Sequence, residues 1–386
     1  MHREGPAKQI STYMEKLAIN FLPLLHKGGT GTYAHLLLDQ FSRLSPEQLD
    51  SFFFIFPEGC SLPEIFNNSL NTIVLPVMNR RKKVIAEQIA IPSLLKSRKI
   101  SWLHQLAFSI PYRNKNFQVI STIHDLTFHL FPETIPFYKR MYYSHNFTRS
   151  IRQSSHIITD SQTVKDQILD HYSIPPEKIM VVPLGVSTGW GDIPFHKQQI
   201  ETLEKLSIQS KKYFLHVGTL EPRKNIETLL EWWERWKERN NDGTVLVLVG
   251  DKGWRYRHLM NKIQKTRDVC YLGKVSQRTL QTLYLNTMAL VNLSMYEGFG
   301  LPLVEAAYFN IPLILSRIPV FEEIRGHSDL LVDDYESFSH LLDECKNKTN
   351  DYVELIKTSR WIKQRYNFDT SFDKLFDWYS ECILKK

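Results

Sequence analysis

Two glutamates, Glu297 and Glu305, stand eight positions apart in the run YEGFGLPLVE. Carboxylates accept hydrogen bonds from vicinal hydroxyls, which is the chemistry needed to hold a ribose or a hexose. Glu297 leaves a β-rich run, 289–293, through a glycine-rich turn, and Glu305 falls on the first turns of the helix that follows. The N–H groups of Gly298, Phe299, Gly300 and Leu301 would face a negative ligand group. A helix start with acids that suit its dipole is the plainer alternative. A second loop, GTLEPRKN from Gly218 to Asn225, puts Arg223 and Lys224 at the opening turn of a helix, where the dipole disfavours cations. Two cations there make sense if an anion such as a diphosphate lies between them and the helix. Arg223 would grip it with two donors and Lys224 would act as a point charge. The P-loop pattern G-x-x-x-x-G-K-[ST] is absent.

Two further loops fall at comparable places. HKGGTGTY, which contains Gly28 and Gly29, follows an apolar run and precedes a helical pattern at 34–41. Glycines let a backbone approach a ligand closely, and a helix N-terminus offers free N–H groups to an anion, although such turns as often only tighten a corner. His124 directly follows the β-rich run 119–123, where an imidazole can donate to a substrate oxygen or a phosphate; a lone histidine is more often structural.

The elements that position these loops are short β-rich runs alternating with helical patterns, the mark of an α/β chain with parallel sheets. Strands are expected at 17–22, 51–56, 72–75, 119–123, 157–159 and 180–182, then at 213–217, 245–249, 269–272, 289–293 and 312–316. A helix over 225–237 carries Trp232, Trp233 and Trp236 as buried packing. The stretch PLGVSTGWGDIPFHK, 183–197, lacks periodicity and reads as a seam between two doubly wound, Rossmann-like halves. Ligands of open α/β sheets sit at the carboxyl ends of strands, so both halves would turn their loops into a common cleft.

The length of 386 residues suits two domains, and 42% hydrophobic residues suffice for real cores. No run reaches the ~18–20 apolar residues of a membrane span, and MHREGPAKQIS lacks a secretory pattern, so a cytoplasmic protein is expected. Four cysteines, Cys60, Cys270, Cys345 and Cys382, form no C-x-x-C pair or zinc spacing and read as reduced thiols. The net charge of +7 invites nucleic acid, an anionic membrane or a phosphate-bearing substrate. The densest basic stretch, Arg80 to Lys99, interleaves Val84, Ile85, Ile89 and Ile91 and reads as an amphipathic helix interrupted at Pro92. A solvated helix with its apolar side inward is the plain reading, and docking on anionic lipid is the alternative. Nucleic acid is disfavoured, because no basic motif with interleaved aromatics occurs.

The spacing in YEGFGLPLVEAA resembles the E-x7-E motif of retaining glycosyltransferases of the GT-B fold, family 4 (group 1). YFLHVGTLEPRKNIETLL is similar to that family's diphosphate-binding loop, GGTGTY to its glycine loop and STIHDLTFHLFPE to its histidine loop, with VLVLVGDKGW and YLGKVS also in place. The matching segments span roughly residues 17–335, and the histidine and glycine loops resemble the mannosyltransferase B-like branch. The resemblance implies an acceptor-binding domain over 1–185, a linker over 186–199, a donor-binding domain over 200–365 and a C-terminal helix, 366–386, packing back on the first domain. It implies that Arg223 and Lys224 neutralise the donor diphosphate, Glu305 holds the ribose, and Glu297 contacts the transferred sugar. Gly218, Gly298, Phe299, Gly300 and Leu301 would line the donor. His124 would touch the sugar near the reacting carbon. Gly28 and Gly29 would border the diphosphate, and Lys274 and Val275 would frame the base.

The activity implied is transfer of a hexose, mannose favoured and GDP-mannose as donor, to a saccharide or lipid-linked acceptor in surface polysaccharide or lipopolysaccharide synthesis. No cofactor or metal is expected, since no D-x-D pair occurs and the cations at 223 and 224 do a metal's work. Thr30 and Thr32 depart from the family's pattern, and Lys27 would have to supply the charge that many relatives carry at 32. A nucleotide-sugar epimerase of the same fold and a non-catalytic basic binding protein are the rival readings.

Overall fold

Phe52, Phe53, Phe54, Ile55 and Phe56 follow one another in a strand buried on both faces, which requires a sheet covered on both sides. The computed structural model describes residues 15–384 apart from 27, 68, 78, 113–115, 133–136, 188–189, 191–195, 254 and 327–329. In it that strand belongs to a seven-stranded sheet of order β3-β2-β1-β4-β5-β6-β7. Its strands are β1 (Leu17–Asn20), β2 (Phe52–Pro57), β3 (Thr72–Leu75), β4 (Trp102–Gln105), β5 (Gln118–Ile123), β6 (His156–Thr159) and β7 (Ile179–Val181). A five-stranded sheet of order β10-β9-β8-β11-β12 follows. It is built from β8 (Tyr213–Val217), β9 (Val245–Val249), β10 (Val269–Gly273), β11 (Leu290–Asn292) and β12 (Leu313–Leu315). Every pairing is parallel.

Both sheets are wound outward in two directions from a central strand, β1 in one and β8 in the other. The order reverses between β1 and β4 and again between β8 and β11, and crevices at such switch points receive ligands. Helix α1 (Gly29–Ser42) leaves the loop after β1, α2 (80–97) follows β3, and α3 (Gln162–His171) follows β6. In the second half α4 (Ile226–Lys237) follows β8, α5 (Gln277–Asn286) follows β10, α6 (Leu301–Tyr308) follows β11 and α7 (Pro319–Arg325) follows β12. Trp233 and Trp236 of α4 are fully buried, and Trp232 packs on Phe338 at 5.5 Å between ring centroids.

Three local features differ from the sequence expectation. β4 was not anticipated, because WLHQ is short and half polar. His104 is nevertheless wholly buried, since Thr122 Oγ1 lies 2.8 Å from its Nε2 and Tyr379 Oη lies 2.6 Å from its Nδ1. Partners distant in sequence thus make a polar strand possible at the centre of the sheet. β1 stops at Asn20, and Leu22–Leu25 forms a 3-10 turn around Pro23. Pro92 does not interrupt α2. The turn before it widens into a π-helix, Ala86–Ala90, where the Ile91 N–H reaches back to the Ala86 carbonyl, and the chain resumes α-helix at Ile91–Ser97.

The last helix, α8 (Phe368–Trp378), returns to the first sheet. Phe372 meets Phe41 at 5.0 Å, Phe376 stacks on Phe52 at 5.6 Å, and Tyr379 just beyond reaches His104. The chain passes between the domains at two adjacent places, since Val186 bridges to Asn367. Part of the expected linker, 188–189 and 191–195, lies outside the described residues. Because Phe372 is almost fully buried between aromatic rings, Phe372→Ala is expected to lower stability by about 3–5 kcal/mol. A urea unfolding midpoint indistinguishable from that of the parent would contradict this packing.

Candidate active site

Glu297, Arg223 and Lys224 meet in one buried cluster between the loops after β8 and β11. Arg223 Nη1 donates to Glu297 Oε2 at 2.7 Å and to the Tyr296 carbonyl at 3.0 Å, while its Nε pairs with Glu221 at 2.7 Å. The Lys224 ammonium bonds Glu297 Oε1, which also accepts from Ser294 Oγ at 2.8 Å. Lys224 and Glu297 are 6% exposed, so each charge needs a close partner. Burial alone would push the Glu297 carboxyl up, yet Lys224 and Arg223 hold it at about 2. Burial and the neighbouring guanidinium lower the Lys224 ammonium against the pull of Glu297. Local backbone sets this up: Pro222–Lys224 forms a 3-10 turn, and Asn225 takes a left-handed conformation (φ 53°) to start α4. Gly218 lies under the aliphatic stem of Lys224, 3.5 Å from where a Cβ would sit.

Gly298 brings this loop against the first domain. A Cβ there would lie 1.8 Å from the His124 carbonyl oxygen, so only glycine permits the approach, and Ser161 Oγ donates to the Gly298 carbonyl at 2.7 Å. Gly300 has φ +105° and turns the chain into α6. The phenyl ring of Phe299 is buried 5.6 Å from the ring of Tyr366, and Leu301 packs on the core, so these two can serve a ligand through backbone N–H groups only.

His124 uses both ring nitrogens within its own domain. Nδ1 is 2.7 Å from Asp160 Oδ2 and Nε2 is 3.2 Å from the Leu106 carbonyl, so both donate in the imidazolium form. Burial opposes that form, but the charge and hydrogen bond of Asp160, the nearby Asp125 and the Leu106 carbonyl together raise the imidazole pKa. Tyr33 of α1 supports the ring edge-on at 4.9 Å.

The remaining residues stand outside this cluster. Glu305 on α6 is buried and accepts from Tyr284 Oη of α5 at 2.8 Å; burial pushes its carboxyl up to about 7, against that hydrogen bond. Gly28 and Gly29 start α1, with open space around both, and Lys27 lies outside the described residues. Lys274 is exposed after β10, and its charge adds to burial in depressing the imidazole of His35 on α1, so it lies near the first domain. Val275 is half-buried against the core. Hence Arg223, Lys224 and Glu297 are in direct contact and Gly298 meets His124, while Glu305, bonded by Tyr284, and the Lys274–Val275 pair stand apart. Asp160 and Tyr284 were not expected. The position of Asp160 directly after β6 was a usable signal, whereas Tyr284 depends on how α5 packs on α6. Among the described residues no group of three or more His, Cys, Asp or Glu is placed to hold a metal ion.

Two parallel-sheet domains whose carboxyl-end loops meet in this way define the GT-B class of glycosyltransferase architecture. Residues 27–190 match the family described as Glycosyltransferase Family 4, and residues 198–362 match Glycosyl transferases group 1. The chain is 29% identical to O-antigen chain mannosyltransferase B of Escherichia coli over 272 residues, which is 69% of this chain and 70% of that protein. It is 29% identical to O-antigen chain mannosyltransferase RfbU of Salmonella typhimurium over 270 residues, 67% of this chain and 69% of that one. Among solved structures it superposes on WaaG, a glycosyltransferase involved in lipopolysaccharide biosynthesis, with TM-score 0.71 at 14% identity, covering 94% of this chain and 98% of that one. Anabaena Alr3699/HepE in complex with UDP-glucose gives TM-score 0.69 at 15% identity, covering 96% and 100%. The chain belongs to the group 1, family 4 glycosyltransferases.

The Glu305 carboxyl, raised from 4.5 to about 7, gives the folded chain a proton that the unfolded chain has already released. Its contribution to stability is full below about pH 4.5 and is lost as the pH rises through about 7. Between about pH 5 and about pH 8 the unfolding midpoint is expected to fall more in the parent than in Glu305→Gln. Parallel pH profiles would show that Glu305 does not titrate there.

Proposed function

We propose that this glycosyltransferase moves a hexose, mannose from GDP-mannose, to a saccharide or lipid-linked saccharide acceptor with retention of configuration. The observation that carries the reading is the convergence of Arg223 and Lys224 on one buried anion position, held by Glu297. A donor diphosphate bound beside them would find two cations already oriented, which supports catalysis without a divalent metal. In this reading Glu305 accepts from the ribose hydroxyls and Glu297 from the sugar. Gly218, Gly298 and the N–H groups of Phe299, Gly300 and Leu301 line the donor. Gly28 and Gly29 border the diphosphate, and Lys274 and Val275 frame the base. His124 contacts the sugar at the domain seam. The acceptor hydroxyl attacks the anomeric carbon on the face from which the diphosphate leaves. The carbon–oxygen bond to phosphate breaks, and the departing phosphate oxygen takes the hydroxyl proton. The protein supplies charge stabilisation and positioning.

The choice of mannose, and of surface polysaccharide or lipopolysaccharide O-antigen synthesis, rests on the two O-antigen mannosyltransferases among the relatives. A cytoplasmic protein meeting a lipid-linked acceptor would dock through 80–99. On α2 and its neighbours Ile85, Ile89, Val74 and Leu70 are exposed, the last by 90%, among the exposed basic residues Lys82, Lys96, Arg98 and Lys99. No helix among the described residues is long and apolar enough to cross a membrane.

Calorimetric titration with GDP, UDP and ADP, with and without EDTA, tests the reading. GDP is expected to bind selectively and independently of EDTA, and Arg223→Ala and Glu305→Ala to weaken it by roughly 10- to 100-fold. Nucleotide binding that required a divalent ion, or that ignored both substitutions, would overturn the assignment. Release of GDP from GDP-mannose only on addition of acceptor separates a transferase from an epimerase.

A further inference from the structure

The seam between the domains is bonded more specifically than recognition of a donor requires. Tyr296 belongs to the second domain and immediately precedes Glu297, yet its ring lies in an apolar cluster whose other members are all from the first, including Ile123, Leu126, Val164 and Ile168. Its hydroxyl accepts from the Leu126 N–H at 2.8 Å and donates to Gln167 Oε1 at 3.0 Å. On the other side of the Glu297 loop, Glu323 of α7 reaches the first turn of α3. Its carboxylate accepts from the N–H groups of Gln162 and Thr163, both at 2.8 Å, and from Thr163 Oγ1 at 2.6 Å. Those N–H groups have no partner inside the helix, and the helix dipole favours a negative charge there. Ser161, the N-cap, accepts from the Val164 N–H at 3.1 Å while donating to the Gly298 carbonyl. One residue earlier, Asp160 holds His124. A single helix start, 160–163, therefore holds His124 on one side and the donor domain on the other.

We propose that Tyr296 and Glu323 are positioning residues for glycosyl transfer, clamping the Glu297–Gly298 loop to the start of α3 so that Glu297 and His124 face the same sugar only when the domains are closed. This rests on the transferase reading of the site. The groups assigned to the nucleotide, Arg223, Lys224 and Glu305, all lie in the second domain and make no recorded hydrogen bond or ion pair with Glu323. Opening the clamp would leave nucleotide binding intact and misplace the sugar relative to the first domain, and a displacement of about 1 Å can cost on the order of 100-fold in rate.

The test compares Glu323→Ala, Glu323→Gln, Thr163→Val, the Glu323→Ala/Thr163→Val double variant and Tyr296→Phe. It measures the affinity for GDP by calorimetry, the slow transfer of mannose from GDP-mannose to water, and the radius of gyration by solution scattering. Glu323→Ala is expected to lower the hydrolytic rate by roughly 10-fold or more, keep GDP affinity within about 2-fold, and enlarge the radius of gyration. Thr163→Val is expected to have a smaller effect that adds nothing to Glu323→Ala, because both remove the same contact. Glu323→Gln, which keeps one acceptor oxygen, is expected to recover part of the rate, and Tyr296→Phe to fall between it and Glu323→Ala. An unchanged or faster rate in Glu323→Ala, GDP affinity falling in step with the rate, or additive effects of the pair would each overturn the clamp. If the parent protein neither binds GDP nor cleaves GDP-mannose, the transferase reading fails instead. Scattering then decides the clamp alone, an unchanged radius in Glu323→Ala counting against it.

Discussion

Putting two cations into a protein interior costs several kcal/mol each unless a counter-charge is held against them. Arg223 and Lys224 are kept together by Glu297, which accepts from both and from Ser294 as well. The arrangement forces the loop after β8 and the loop after β11 to lie side by side, and hydrogen bonds from Met295 N–H to the Arg223 carbonyl and from Arg223 to the Tyr296 carbonyl complete the join. The carboxylate that neutralises the cations thereby stands one residue from Gly298, where the two domains touch. Charge balance in one domain and contact with the other are set by consecutive residues.

The doubly wound topology makes this possible. Because the strand order reverses between β8 and β11, the two loops leave adjacent strands and diverge only after their first residues. The first sheet repeats the device around β1 and β4. The loop after β4 there supplies the Leu106 carbonyl that holds His124, and the loop after β6 supplies Asp160. The two cores are further joined by α8, whose aromatic residues pack on the first sheet although they follow the second domain in the chain. Closing such a joint buries rings that would otherwise face water, a gain that falls to zero if the domains separate.

Most strands were legible because their side chains alternate with helical patterns at a fixed rhythm, and because apolar β-branched runs such as VLVLV have one good environment. The core of the candidate site was legible for a different reason. Cations at a helix start run against local preference, and such conflicts mark places where a ligand or a distant partner compensates. β4 escaped notice because its histidine is satisfied only by residues remote in the chain, and α2 continued past Pro92 because a π-turn spared a hydrogen bond that local rules count as lost.

The sequence by itself determined the residue types, the loops that carry them and the parallel α/β class, since these depend on composition and short-range spacing. The tertiary structure alone decided that Asp160 pairs with His124, that Tyr284 holds Glu305, and that Tyr296 and Glu323 reach into the opposite domain. Each of these pairs joins separate elements. Their distances depend on how sheets and helices pack, and no local pattern of side chains encodes that.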